Sequence, residues 1–230
     1  MIEIHILQMQ NHIKQTDYNK LLGYITKDKI ERLGRFHRFE DAQRSLLGDI
    51  LARYAICSRE KVENENLTFG KNEYGKPLLI KPDGIHFNIS HSGNFVVCAI
   101  HNNPIGVDVE TIRRIDFTIA ENYFSREEYD ALLGQPEEMR LYYFFIIWAL
   151  KESYIKAEGK GLNIPLNSFT IKMEGHSINC VNSKGQMKYC FEQGLLDNKT
   201  IFAFCTMDKI SATKKYWTIE EILEETYSWL

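Results

Sequence analysis

A chain of 230 residues, 44% of them hydrophobic, can bury a substantial core as one large domain or two small ones. Its net charge of −3, with both signs mixed along the chain, removes the compositional case for a nucleic-acid binder or a partner of acidic membranes. Five scattered cysteines (Cys57, Cys98, Cys180, Cys190, Cys205) include no C-x-x-C pair, which argues against a zinc site or disulfide framework and for reduced thiols. Met1 leads into Glu3 and His5 rather than into a basic and then apolar leader, so a cytoplasmic protein without signal peptide is expected. The longest apolar run, Leu141 to Leu150, is ten residues and too short to span a bilayer. Without secretion, the N-x-S/T sequons at Asn66, Asn88 and Asn198 are chance matches.

In chain order, Ile2, Ile4 and Ile6 alternate with polar residues and predict a short strand. Lys27 to His37 and Glu40 to Cys57 read as helices, the second with Leu46, Leu47, Ile50, Leu51, Tyr54 and Ala55 at helical spacing. Asn72 to Pro77 is punctuated by Gly75 and Pro77 as a turn. Three strands follow at Ile85–Ser90, Phe95–His101 and Ile105–Glu110. Ser125-Arg126-Glu127-Glu128 is a capping box, and a long helix runs from Pro136 or Glu137 to C-cap glycines at Gly159 and Gly161. Strands are expected again at Phe169–Met173, Met187–Phe191 and Ile201–Met207, then an amphipathic helix from Thr218 toward Trp229. This order predicts an α+β fold with mainly antiparallel sheets.

Two acidic stretches carry chemistry. On a strand, Asp108 and Glu110 project from one face while Val107 and Val109 point into the core. On the long helix, Glu152 and Lys156 stand at i and i+4, one turn apart. Brought together, the two faces offer three carboxylates for a hard divalent cation beside one ammonium, which suits a metal-bound diphosphate. Taken singly, the acids are an ordinary solvated strand face, and Glu152 with Lys156 an ordinary helix pair of about 0.3–0.5 kcal/mol.

Gly75-Lys76-Pro77, Phe87 to Gly93, Ile105 to Glu110, Tyr123 to Glu128 and Trp148 to Leu162 occur in this order. In that combination the chain resembles 4′-phosphopantetheinyl transferases of the surfactin-synthetase-activating type. The resemblance begins near Lys27, includes Arg35-Phe36-His37 and Glu40 to Asp49, and runs to about Phe169. It implies a pseudo-dimer of two similar α/β subdomains, here residues 1–104 and 105–230, with coenzyme A in the cleft between them. A one-chain pseudo-dimer implies a monomer. The implied reaction moves the phosphopantetheine arm of coenzyme A onto a serine of an apo acyl or peptidyl carrier protein and releases adenosine 3′,5′-bisphosphate. Whether that carrier serves peptide, polyketide or fatty-acid synthesis stays open.

Attack of a serine oxygen on the β-phosphorus demands charge neutralisation, an in-line nucleophile and a proton acceptor. The resemblance gives Asp108, Glu110 and Glu152 to magnesium and Lys156 to a phosphate oxygen. Glu152 is then the base, directly or through a water. Coenzyme A would be held by Lys29, Arg32, Arg44, Lys76, Pro77, Ser90, His91 and Lys156. Of these, Ser90 lies by the diphosphate, His91 and Arg44 by the 3′-phosphate, and the Lys76-Pro77 loop against the adenine, where backbone groups matter more than the Lys76 charge. Glu128 has two readings, N3 residue of the capping box or acid near the metal.

Ser90 and His91 are no hydrolase pair, because neighbours on a strand point to opposite faces. Gly159-Lys160-Gly161-Leu162 lacks P-loop spacing and follows a helix instead of opening one. Ile112 to Phe124 matches the carrier-docking segment of relatives, with Ile115, Phe117 and Ile119 as apolar anchors or as core, and Arg113 and Arg114 suited to an acidic carrier. Lys27, Lys29, Arg32, Arg35 and Arg38 form a basic ridge, ordinarily a solvated helix face. Two other classes remain: a silent coenzyme-A or carrier binder, against which the intact acids and Lys156 argue, and a nucleic-acid binder built on that ridge.

Overall fold

The computed structural model describes residues 1–175 and 177–229. In chain order the elements are β1 (Ile2–Gln8), α1 (Gln15–Leu21), α2 (Lys27–Leu33), α3 (Phe39–Glu60), β2 (Thr68–Lys71), β3 (Pro77–Lys81), β4 (His86–Ser92), β5 (Phe95–His101), β6 (Ile105–Thr111), α4 (Thr118–Tyr123), α5 (Arg126–Leu133), α6 (Glu137–Glu158), β7 (Phe169–Glu174), β8 (Ser177–Asn182), β9 (Gly185–Gln186), β10 (Cys190–Asp197), β11 (Thr200–Thr206), β12 (Ala212–Trp217) and α7 (Ile219–Trp229). The fold is α+β, as expected. Among the described residues no helix is long and apolar enough to cross a membrane.

Two compact units emerge. The first takes Met1–Gly70, Pro77–Asn102 and the chain from Ala212 onward; the second takes Lys71–Lys76 and Asn103–Ser211. The first unit thus takes in the C-terminal stretch from Ala212, which a division at residue 104 leaves with the second half. The reason is a non-local strand pair: β12 runs parallel to β1, from Ile2 opposite Ala212 to Leu7 opposite Trp217. Trp217 also stacks on the buried His5 ring and donates its Nε1–H to His5 Nδ1 at 3.2 Å.

In the first unit the sheet order is β12-β1-β5-β4. The 22-residue α3 packs on β4 and β5, its Leu46, Leu47, Ile50 and Leu51 buried with Phe87, Val96, Cys98 and Ile100. The expected helix from Lys27 to His37 ends at Leu33, where the Gly34 amide closes on Ile30 O. Arg35 and Arg38 thus lie beyond α2, with Arg38 the N-cap of α3, and the five basic residues form no single helix ridge.

The second unit holds the antiparallel sheet β10-β11-β6, with α6 packed on β6 and β11, and a small sheet β7-β8-β9. The expected strand Met187–Phe191 is displaced: β10 starts at Cys190, and the Met187 amide instead bonds Cys180 O. The capping box forms at Ser125, and α6 runs from its Pro136 N-cap to Gly159 in the left-handed region. Ile112, Ile115, Phe117 and Ile119 lie half-buried against this unit's core, while Arg113 and Arg114 are exposed.

Candidate active site

Strand register places the acids. Gly106, Asp108 and Glu110 of β6 lie opposite Cys205, Ala203 and Ile201 of β11, and directly opposed residues share a sheet face. That face is the one α6 covers, because a Cβ on Gly106 would sit 1.9 Å from Ser153 O and 2.4 Å from Ala157 N. Cys205, Ala203 and Ile201 belong to the unit's apolar core. The acids are therefore on the core side of the sheet. Val107 and Val109 are buried, as expected, on the opposite face with Phe204 and Phe202 as cross-strand neighbours. Both faces of β6 are covered: alternation places the valines in the core correctly but does not show that α6 covers the face of the acids as well.

The backbone contact at Gly106 sets how near α6 comes. It brings residues 153–157 over β6, and the Lys156 ammonium reaches Asp108 Oδ1 at 2.6 Å. Asp108 is buried; Glu110 and Glu152 are half-buried. Burial, and after it the charge of Asp108, raises the pKa of both Glu110 and Glu152. The Arg113 guanidinium, largely in solvent, donates to Glu110 Oε2 at 3.2 Å. Gly106→Ala should lower stability by about 1–3 kcal/mol by forcing the helix off the strand, measurable by urea denaturation. A variant as stable as the parent would mean the crossing relaxes freely.

Among the described residues no three His, Cys, Asp or Glu side chains stand as a formed metal-ligand set. The donor chemistry of Asp108, Glu110 and Glu152 nonetheless fits a hard divalent cation. All offer carboxylate oxygens, and burial together with the charge of Asp108 makes Glu110 and Glu152 hold protons more tightly.

Glu128 takes the capping-box reading. Its Oε2 accepts the Ser125 amide and its Oε1 the Ile171 amide, both at 2.7 Å. Lys151 Nζ lies 2.6 Å from both oxygens and donates to Phe169 O at 2.7 Å. The pair is sealed, at 0% and 1% side-chain exposure. Burial lowers the Lys151 pKa while Glu128 opposes that shift. Sequence reasoning passed over Lys151, whose one signal is a lysine in an otherwise apolar helical face.

The other candidates fall in two places. In the first unit Ser90 is buried and His91 exposed on β4, and Arg44 reaches the turn after them, donating to Gly93 O at 3.1 Å and pairing with Asp41. Lys29 pairs with Asp49 at 3.3 Å, Arg32 is exposed on α2, and Pro77 is exposed at the start of β3. Lys76 belongs to the second unit and turns inward, with its Nζ donating to Lys156 O (2.5 Å), Ala157 O (3.2 Å) and Ile105 O (3.5 Å).

Comparison with known proteins decides the family. A family model described as the 4′-phosphopantetheinyl transferase superfamily matches residues 104–205, and one described as 4′-phosphopantetheinyl transferase, N-terminal, matches residues 12–103. The chain is 39% identical over 172 residues to the 4′-phosphopantetheinyl transferase Sfp of Bacillus subtilis, covering 75% of this chain and 77% of that protein. It belongs to the 4′-phosphopantetheinyl transferase family. The gsp transferase of Aneurinibacillus migulanus is 45% identical over 171 residues, 74% of this chain and 71% of that one. The more distant HetI transferase of Nostoc is 30% identical over 166 residues, 70% of each. The matched stretch 104–205 contains the whole β6–α6 crossing of this transferase, with Asp108, Glu110, Glu152 and Lys156.

Proposed function

We propose that the protein transfers the 4′-phosphopantetheine arm of coenzyme A to a serine hydroxyl of an apo acyl or peptidyl carrier protein in the cytoplasm, as a monomer, with magnesium held by Asp108, Glu110 and Glu152. The observation that carries this reading is the β6–α6 crossing: two half-buried glutamates that feel the charge of the buried Asp108, with the Lys156 ammonium on that aspartate, in a chain of this family. The five cysteines are free, which agrees with a reducing compartment.

Bound magnesium would supply positive charge to the diphosphate. The chain's own groups do the rest. Lys156 donates to a non-bridging oxygen of the β-phosphate as negative charge builds there. Glu152, made a better proton acceptor by burial and by Asp108, takes the serine proton directly or through a water. The serine oxygen then bonds the β-phosphorus, the bond to the α-phosphate bridge breaks, and adenosine 3′,5′-bisphosphate leaves with the electron pair. Arg44, His91 and Ser90, grouped around the β4–β5 turn, are the proposed ligands of the 3′-phosphate and diphosphate region, with Lys29 and Arg32 of α2 reaching the same nucleotide.

Intact-protein mass spectrometry of an apo carrier incubated with enzyme, coenzyme A and magnesium tests the reading. One phosphopantetheine arm should be gained, lost on adding chelator and restored by excess metal. No gain on either peptidyl or acyl carriers would reject it.

A further inference from the structure

The loop before β3 is fastened to the end of the helix that carries Glu152 and Lys156. Asn72 folds the loop on itself, its Oδ1 accepting the amides of Tyr74 (3.0 Å) and Lys76 (2.8 Å). Asn72 Nδ2 then donates to Gly159 O at 2.7 Å. Lys76 supplies the stronger tie. The last carbonyls of a helix lack partners within it, and the helix dipole favours a cation there. Two of these carbonyls, Lys156 O and Ala157 O, accept from the Lys76 ammonium, and a third acceptor, Ile105 O, lies at the head of β6.

Two glycines make room for this arrangement. Gly159 sits at φ +72°, and a Cβ there would come within 2.8 Å of Lys76 Cδ, so the lysine stem lies across the position a side chain would fill. Gly106 lets β6 and α6 touch backbone to backbone beside Ile105. One ammonium therefore holds both sides of the crossing, at the residue next to Gly106 and at the carbonyl of Lys156 itself. Burial pushes the Lys76 pKa down to about 8, and the three backbone carbonyls are the partners its Nζ finds within the protein.

We propose that Lys76 is a positioning residue for the transfer reaction: by clamping the start of β6 to the end of α6, it fixes Lys156 opposite Asp108. The role rests on the proposed function but differs from nucleotide contact, since the ammonium is engaged by the protein's own carbonyls.

The test is Lys76→Met beside Lys76→Arg, with four readouts: kcat, KM for coenzyme A, the directly measured Kd for coenzyme A, and amide hydrogen exchange over residues 156–160. Loss of the clamp should lower kcat by about 10²-fold, the scale of a misplacement near 1 Å. Kd for coenzyme A should stay unchanged, exchange at the end of α6 should quicken, and Lys76→Arg, which keeps donors and charge, should recover most of kcat. A raised Kd with unchanged kcat and exchange would overturn the proposal and make Lys76 a nucleotide ligand. Unchanged values throughout would overturn it too. Should Lys76→Met fail to fold, Lys76→Gln, which keeps one donor, is read by the same criteria. If the parent protein transfers nothing to any carrier, the functional reading falls by itself; unaltered exchange at the α6 terminus would then reject the clamp separately.

Discussion

Glu128→Ala should lower the free energy of unfolding by about 3–5 kcal/mol, because it strands the Lys151 ammonium in a site with no access to water. Against a total of about 5–15 kcal/mol for a natural domain, that brings the second unit close to unfolding. Lys151→Met should be of the same order, leaving a carboxylate with two backbone donors and no counter-charge. Replacing both partners with apolar residues should cost less than the two single changes together, since neither charge is then stranded. The double variant should still fall below the parent, because the amides of Ser125 and Ile171 and the carbonyl of Phe169 lose their partners, at about 1–3 kcal/mol each. Urea denaturation of all four proteins gives the cycle. Fully additive losses would mean the two residues act independently despite their 2.6 Å separation.

Lys156→Ala should reduce kcat by about 10²–10³ while leaving KM for coenzyme A nearly unchanged, the pattern of a donor that acts mainly in the transition state. The ammonium is already held by Asp108 at 2.6 Å before any substrate arrives, and Lys76 fixes the backbone from which it extends. Little reorganisation therefore remains to be done when the phosphate charge develops. The side chain is only part-buried, so its removal leaves room for water and should not unfold the helix. Thermal unfolding of the variant checks that point. A kcat within a few-fold of the parent would assign Lys156 to holding Asp108 and nothing more.

Local rules recovered what local physics determines. Strands β4, β5 and β6, the Ser125 capping box and the Gly159 terminus of α6 all follow from alternation, capping chemistry and glycine's tolerance of positive φ. The i,i+4 relation of Glu152 and Lys156 was legible for the same reason. Other features depend on distant partners. The polar α1 and the short β8 and β9 give little hydrophobic period to detect. β12, with Lys214, Lys215 and Tyr216 exposed, reads as a surface segment until β1 lies beside it. The alternation of Val107 and Val109 places them in the core correctly but gives no sign that the acids' face is covered too, because that cover comes from α6, some forty residues on. Glu128 carried two readings that only Lys151 and Ile171, neither of them adjacent in sequence, decide between.

The pairing of β12 with β1 also orders events in time. Polypeptide leaves the ribosome from its N-terminus at about 5–20 residues per second, and domains generally fold as units when their residues are out. Apart from the loop Lys71–Lys76, the second unit is one uninterrupted stretch, 103–211, and can close once that stretch has emerged. The first unit has most of its sheet by residue 102 yet leaves one side of β1 without its neighbour for over a hundred further residues. A nascent chain stalled before Ala212 would expose that bare strand margin, a template for pairing with other chains. The earliest strand to be synthesised is thus among the last to be completed.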